Sequence, residues 1–542
     1  MKFKLLTLIA LLSPLFIFSQ ENSEMGLDDR INAWFLPITE VWEGIVFWQV
    51  PGTGIPLIVI ILVFGATFFT IYFAFINVKK FPLAINVVRG KYDALEGPEG
   101  HGVEKAEVNI VEGDLPDTIR DESKDGEVSH FQALATAVSG TVGLGNIAGV
   151  ALAIAIGGPG ATFWMILCGL LSMSTKFVEC TLGVKYRDVG PDGTVYGGPM
   201  YYLSRGLKER GFVRLGKVLG ALFAVICVGA SFGGGNAFQS NQAAEQLAAM
   251  LSLEGGSIGF LIGLVFAAVV GVVIIGGIKR IASVTEKVVP FMAIIYALAC
   301  FAVIFANFSY IDDAFILIFK SAFTPEAGLG GLMGVLIVGF RRAVFSNEAG
   351  AGSAAIAHSA VKTKYPASEG IVALLEPFID TVVICTMTAL VIIFYNSGGA
   401  FEYGGDGAGN VVVDGVALGG VNLTSMAFQS VIPWFPYILT LAVVLFAIST
   451  MVSWSYYGLQ SWKYLFGRSR FSDLTYKILF VVFTVIGASA SLGAVFRFSD
   501  AMILALVFPN MIGLMLLFPR VKEELNKYLS AIKELKRQAA SE

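Results

Sequence analysis

Charged side chains are scarce in this sequence. Asp, Glu, Lys and Arg make up 14% of its 542 residues, against about a quarter of a soluble domain. Too few polar groups are available to cover a water-facing surface, which disfavours a cytosolic enzyme. Neither sign dominates: 37 Lys+Arg stand against 41 Asp+Glu, a net charge of -4. No basic stripe offers a phosphate footprint, so nucleic acid is not an expected partner. Cysteine is sparse as well. Cys168, Cys180, Cys227, Cys300 and Cys385 each lie inside an apolar run without CxxC spacing, and read as small core hydrophobes. His101, His130 and His358 are far apart with no cysteine beside them, which argues against zinc.

What is present is apolar surface: 56% of residues are hydrophobic and the mean hydropathy is +0.74. These values describe an all-α polytopic membrane protein whose first partner is the lipid bilayer. Apolar runs fall at about 55–77, 130–157, 161–184, 215–248, 257–277, 286–307, 328–360, 368–395, 433–460, 475–496 and 499–519, which predicts eleven transmembrane helices. Residues 1–20 carry Lys2 and Lys4 before an apolar stretch and resemble a signal peptide, with an uncleaved anchor as the alternative. Residues 27–48 read as an interfacial amphipathic helix. Basic residues mark alternate loops: Lys79, Lys80, Arg89 and Lys91 after the first span, Arg205, Lys208, Arg210 and Arg214 after the third, and Lys463, Arg468 and Arg470 after the ninth. That alternation places the N-terminus outside and the C-terminus in the cytoplasm. Residues 91–128 then form a cytoplasmic acidic insertion, 397–420 a Gly-rich outer loop, and 520–542 a cytoplasmic tail. Within the outer loop, Asp414-Gly415 between apolar arms signals a β-hairpin. A short amphipathic helix is expected on the outer mouth within 308–327.

Glycine and polar residues interrupt two spans. One stretch is Ser139-Gly140-Thr141-Val142-Gly143-Leu144-Gly145-Asn146; the other runs from Phe345-Ser346-Asn347-Glu348 to Ser353. Unwound backbone at membrane depth is tolerated only where it lines a cavity or is buried in protein. The two stretches are five spans apart, so residues 130–307 and 328–519 form an inverted 5+5 repeat with a broken first helix in each half. Residues 55–77 supply one extra leading helix. Paired interruptions of this kind point to a transporter's midplane site. Ser449 and Thr450 in the ninth span offer hard oxygen ligands for a cation, or bond back to their own helix. Asn236, Gln239 and Asn241 in the fourth span either read a small zwitterion or join helices. Arg341 and Arg342 either reach water or pair with Glu348 in a buried gate.

The segments GTVGLGNIAGVALAIAIGGPGATFWM (140–165), KYRD (185–188), GGPMYYL (197–203), FSNEAGAGSAAIAHSA (345–360) and FAISTMVSWSYYG (446–458) resemble the alanine or glycine:cation symporter family. These are bacterial and archaeal sodium-coupled amino-acid transporters. The likeness runs from about residue 30 to 519, and GLGN followed by GGPGATF more distantly resembles the neurotransmitter:sodium symporters, implying the leucine-transporter fold. The resemblance implies that sodium (Na+) is held by Ser139 and Val142 of the second span with Ser449 and Thr450 of the ninth. It places Gly140, Thr141 and Gly143 at the substrate carboxylate. Gln239, Phe345, Ser346, Asn347, Glu348 and Thr450 line the pocket. Asn146 matches a residue that ligates a second sodium in the distant relatives.

The expected function is therefore symport, not catalysis: import of a small neutral amino acid across a bacterial inner membrane by alternating access, with a monomer sufficient. A proton-coupled carrier, using Glu348, is the nearer alternative and a channel the more remote one.

Overall fold

The structure, a computed structural model, describes residues 27–96, 127–190, 194–275, 277–324, 331–406 and 409–541. The expected leader at 1–20 and most of the acidic insertion lie outside the described residues. The fold is mostly helical. Its principal helices are α1 (Leu27–Val46), α2 (Leu57–Tyr72), α3 (His130–Thr141), α4 (Ala148–Gly157), α5 (Gly160–Lys185), α6 (Val213–Phe232), α7 (Phe238–Leu251), α8 (Ile258–Ile274), α9 (Gly277–Ala306) and α10 (Ile311–Phe323). They are followed by α11 (Gly331–Asn347), α12 (Ala354–His358), α13 (Pro366–Val372), α14 (Thr386–Tyr395), α15 (Gly420–Gln429), α16 (Phe435–Phe466), α17 (Arg470–Ser489), α18 (Leu492–Ala505) and α19 (Val507–Ser541). Among the described residues 7 helical segments are long and apolar enough to cross a membrane. Large apolar side chains such as Leu261, Leu264, Val265, Val272, Phe291, Ile294 and Leu298 lie exposed along α8 and α9. In water such a face would aggregate; in lipid it is solvated.

Two helices organise the interior. Around α5 pack α2, α10, α11, α12 and α13, and around α16 pack α3, α6, α7 and α9. Local chemistry sets the helix ends. Ser129 and Gln132 form a capping box at the start of α3, satisfying two backbone donors reciprocally. Asp28 of α1 caps a different helix, accepting from the N–H groups of Gly259 and Phe260 at the start of α8. Burial is the largest influence on that carboxyl and raises its pKa above the ordinary 3.8. Asp414 (φ 50) and Gly415 (φ 82) turn a hairpin between β3 (Asn410–Val413) and β4 (Val416–Gly419), both residues adopting the left-handed backbone a tight two-residue turn requires. A smaller hairpin pairs β1 (Asp188–Val189) with β2 (Val195–Tyr196).

The structure moves one expected boundary. Instead of spans at 475–496 and 499–519, α17 stops at Ser489 and α18 starts at Leu492. The turn holds neither Gly nor Pro; its signal is Ser491, whose hydroxyl accepts from the Ala494 N–H.

Candidate functional site

Both polar interruptions are breaks, each shorter than the sequence suggested. The helix α3 runs through Ser139, Gly140 and Thr141, and only residues 142–147 are unwound before α4. Freed backbone donors go to side chains, as buried amides must. Gly143 N–H donates to Asn146 Oδ1 at 2.9 Å, and Leu144 N–H to Gln239 Oε1 at 3.0 Å. The second break begins after Asn347, so Phe345, Ser346 and Asn347 are still helical. Glu348 (φ 56), Gly350 (φ 92) and Gly352 (φ 82) then leave the right-handed region, which ends the helix outright. Ala349 N–H returns to Asn347 Oδ1 at 3.0 Å, Gly350 N–H donates to Glu179 Oε1 at 2.8 Å, and the Gly350 carbonyl accepts from Asn510 Nδ2 at 2.8 Å.

The residues expected to hold sodium come together at the first break. Ser139 Oγ donates to the Ser449 carbonyl at 3.0 Å, and Thr450 Oγ1 donates back to the Ser139 carbonyl at 2.9 Å. Ser449 Oγ donates to the Phe446 carbonyl at 3.0 Å. Val142 closes α3 with ψ 89, which turns its carbonyl out of the helical ladder. Neutral hydroxyl and carbonyl oxygens from α3 and α16 thus meet in a buried place, with the hydroxyls bonded to carbonyls that a cation could take over. Asn146 is separate from this group. Its Nδ2 donates to Asp380 Oδ1 at 2.7 Å and to Ser346 Oγ at 3.0 Å, and Ser346 Oγ donates to Asp380 Oδ2 at 2.7 Å.

The expected substrate residues divide. Gly143, Thr450 and Gln239 touch: a Cβ on Gly143 would lie 2.4 Å from Thr450 Oγ1 and 3.1 Å from Gln239 Oε1. On Gly140 it would lie 2.9 Å from the Tyr457 hydroxyl. That hydroxyl is buried without a hydrogen-bond partner among the described residues, and the sequence reading gave Tyr457 no role. Phe345 reaches the same region, its ring 5.1 Å from that of Phe238. Thr141 does not join, because its hydroxyl bonds the carbonyls of Ala137 and Val138 in its own helix. Asn347 Nδ2 turns to Thr381 Oγ1 at 2.9 Å, and Glu348 accepts from Trp454 Nε1 at 2.8 Å and from Ser353 Oγ.

Contacts decide between the readings left open for the remaining polar residues. Asn236 and Asn241 join helices: the first bonds the Phe480 carbonyl and Thr484, the second the carbonyls of Gly487 and Ala490. A π-helical turn covers Gly233–Ala237, and Gln239 bonds the Leu144 N–H and the Gly234 carbonyl instead. Arg341 and Arg342 pair with Asp500 of α18, not with Glu348. His130 and His358, distant in sequence, both contact Glu369. Glu179, Lys176, Glu376, Asp380 and Asp500 were not singled out by the sequence, and all are buried.

One broken helix thus meets neutral oxygens of α16, and a second broken helix is tied down by Glu179, Asn510 and Trp454, an arrangement suited to a multi-pass membrane transporter. The profile of the sodium:alanine symporter family matches residues 44–542. The chain belongs to that family, and is an amino-acid:cation symporter. The sodium/alanine symporter AgcS of Methanococcus maripaludis is 42% identical over 76% of this chain and 86% of its own length. The putative sodium/proton-dependent alanine carrier protein YrbD of Bacillus subtilis is 37% identical over 73% of this chain and 80% of its own. Among solved structures, MhsT in complex with L-phenylalanine aligns with TM-score 0.49 and 13% identity, covering 73% of this chain and 99% of that one.

Proposed function

We propose that the chain imports a small neutral amino acid, alanine or glycine, across the bacterial inner membrane with sodium as its coupling ion. The observation that carries this is the reciprocal pair Ser139–Ser449 and Thr450–Ser139. Hard monovalent cations take oxygen ligands, and a set without carboxylates suits a singly charged ion. Sodium at Ser139, Val142, Ser449 and Thr450 would hold α16 against the first break. The amino acid's carboxylate would meet Gly140, Gly143 and the unpartnered Tyr457 hydroxyl, with Gln239 and Phe345 beside it. The names of AgcS and YrbD support alanine as the substrate.

In this reading the 7 long helices, with α2, α8 and the two broken pairs α3–α4 and α11–α12, make eleven spans. They form an inverted 5+5 repeat behind α2, in the leucine-transporter arrangement, with the N-terminus outside. All site residues come from one chain, so a monomer suffices. One observation favours proton coupling instead: the Asp380 carboxylate bridges Asn146 of the first break and Ser346 at the second. That places an ionisable group between the breaks, in the neighbourhood where Asn146 would otherwise ligate a second sodium.

Proteoliposomes separate the two. Labelled alanine is expected to accumulate above equilibrium with an inward sodium gradient and not with choline, and Asp380→Asn is expected to leave that sodium dependence in place. Accumulation in choline driven by a pH gradient, and lost in Asp380→Asn, would establish the proton-coupled reading.

A further inference from the structure

A second constellation lies away from the neutral oxygens. Five helical segments, α3, α5, α12, α13 and the turn Leu375–Pro377, meet where α3 begins and α5 nears its end. His130 of α3 contacts Glu369 of α13. The other Glu369 oxygen lies 2.5 Å from His358 Nδ1 of α12. His358 Nε2 lies 3.3 Å from Glu376 Oε2, and Glu376 Oε1 lies 3.1 Å from Lys176 Nζ of α5. Five ionisable side chains form an unbroken line. Only His130, at its end, keeps some exposure, 9% of its side chain, while the others have none. Three residues beyond Lys176 on the same helix, Glu179 holds the Gly350 N–H of the second break, and its Oε2 has no hydrogen-bond partner among the described residues. Among the described residues, titratable groups within electrostatic reach of this line or of Glu179 include Glu348, Cys180, Tyr202, Tyr457 and Asp380.

Formal charge demands protons here. Glu369, Glu376, Glu179 and Glu348 are four buried acids, and among the described residues Lys176 is the lysine or arginine paired with them. Uncompensated buried charge is heavily penalised. Geometry locates at least one proton. His358 has a carboxylate oxygen at each ring nitrogen, whereas a neutral imidazole offers one N–H and one bare nitrogen. A bare nitrogen facing a carboxylate oxygen repels it, so one proton beyond the neutral imidazole's own must lie along Glu369–His358–Glu376.

We propose that this line is a proton-binding site entered through His130, and that its bound proton latches α12 to α13 and α5. Chains of acids and histidines within membrane proteins commonly carry protons. A proton leaves hydronium for His130, passes to Glu369 and from its other oxygen to His358; releasing it reverses the path and leaves a water-borne proton behind. Losing it sets α12 free at the end of the second break. Transport therefore quickens as the pH on the His130 side rises and slows as that side is acidified. The kinetic consequence rests on the transport reading, and on its topology for naming the cytoplasm; the bound proton rests on the contacts alone.

The test uses the full chain in two forms. In right-side-out vesicles with external pH and sodium gradient fixed, alanine uptake is measured as internal pH is raised through the histidine range. Wild-type uptake is expected to rise, by at most about tenfold per pH unit for a single proton, and His358→Gln to flatten the profile. A flat wild-type profile, or an unchanged slope in His358→Gln, overturns the proposal. His130→Asn, at the more exposed end, serves if His358→Gln does not fold: a displaced profile supports the site, and one identical to wild type overturns it. Purified protein in detergent supplies a readout independent of transport. Because the proton stabilises only the folded latch, the wild-type melting temperature is expected to fall with rising pH more steeply than that of either histidine variant, and equal slopes overturn the site. Absence of uptake at every internal pH would reject the transport reading instead, leaving the proton site to the melting profiles.

Discussion

Replacing Thr450 by Val tests the proposed cation site with the smallest change of shape. Thr450 Oγ1 donates to the Ser139 carbonyl at 2.9 Å, and both residues are buried. Valine puts a methyl where that oxygen stood, so the empty state loses one neutral hydrogen bond with a net contribution of about 1 kcal/mol. The sodium-loaded state loses an oxygen facing a full charge, a contact worth roughly 1.5–3 kcal/mol. Both states weaken, and only the difference, about 0.5–2 kcal/mol, reaches the binding constant. At about 1.4 kcal/mol per decade, the sodium concentration for half-maximal uptake should rise by roughly 2- to 30-fold. Linkage requires that alanine affinity at limiting sodium fall in step with it. The assay is alanine uptake into proteoliposomes against sodium concentration, with Ser455→Ala as the control. Ser455 is on the same helix and, among the described residues, its hydroxyl bonds the Val452 carbonyl alone, so its curve should not move. A Thr450→Val protein that transports at the wild-type rate with an unshifted sodium curve would refute the site.

Gly143→Ala forces a Cβ to within 2.4 Å of Thr450 Oγ1 and should abolish sodium-driven uptake while the protein still reaches the membrane; normal uptake would show that the break and α16 do not close on one another. Gln239→Leu strands the buried Leu144 N–H and should cost about 1–3 kcal/mol, read as a lower melting temperature together with reduced alanine uptake; an unaltered protein would mean water replaces the side chain. Asp500→Asn removes the shared partner of two arginines and should destabilise by about 3–5 kcal/mol, whereas Arg341→Gln, with its side chain 22% exposed, should do far less; equal melting temperatures would contradict the pairing. Burial raises the pKa of Asp28, so its ionised form is the disfavoured one, and it detracts from stability as pH rises through the window above 3.8. Asp28→Asn, keeping an oxygen acceptor for Gly259 and Phe260, should match or exceed the wild-type melting temperature at neutral pH; a clear loss would show that the charge itself holds the cap.

Sequence patterns exposed the features that depend on neighbours in the chain. Glycines interleaved with Asn146 in one stretch and with Asn347 and Glu348 in the other announced both breaks, and Asp414-Gly415 announced the hairpin. Break edges escaped, because Ser139 to Thr141 and Phe345 to Asn347 are compatible with helix and nothing local ends it before the positive φ angles of Glu348, Gly350 and Gly352. Asn236 could either read a substrate or join helices by its residue type alone, and only its bonds to the Phe480 carbonyl and Thr484 show the second. Pairings between distant segments were illegible. His130 and Glu369 are 239 residues apart, and Asp500, three residues after Arg497, carries no local sign that Arg341 and Arg342 face it.

The distribution of charge along the second broken segment gives these pairings a common sense. Arg341 and Arg342 lie before the break on α11 and are tied to Asp500. His358 lies after it, at the end of α12, and is tied to Glu369 and Glu376. Between them the chain unwinds, and the contacts joining the first break to α16 are made by neutral oxygens. A strong charge pair suits a place that must be wholly closed or wholly open, since a half-separated buried pair loses its attraction before water can replace it. Neutral oxygens suit a place that must release an ion readily, since they regain hydroxyl–carbonyl bonds when it leaves. Ionic contacts on either side of the second break and neutral oxygens at the first are thus the arrangement that the proposed alternating access would need: two closures that need not open together, beside a site that would bind an ion and let it go.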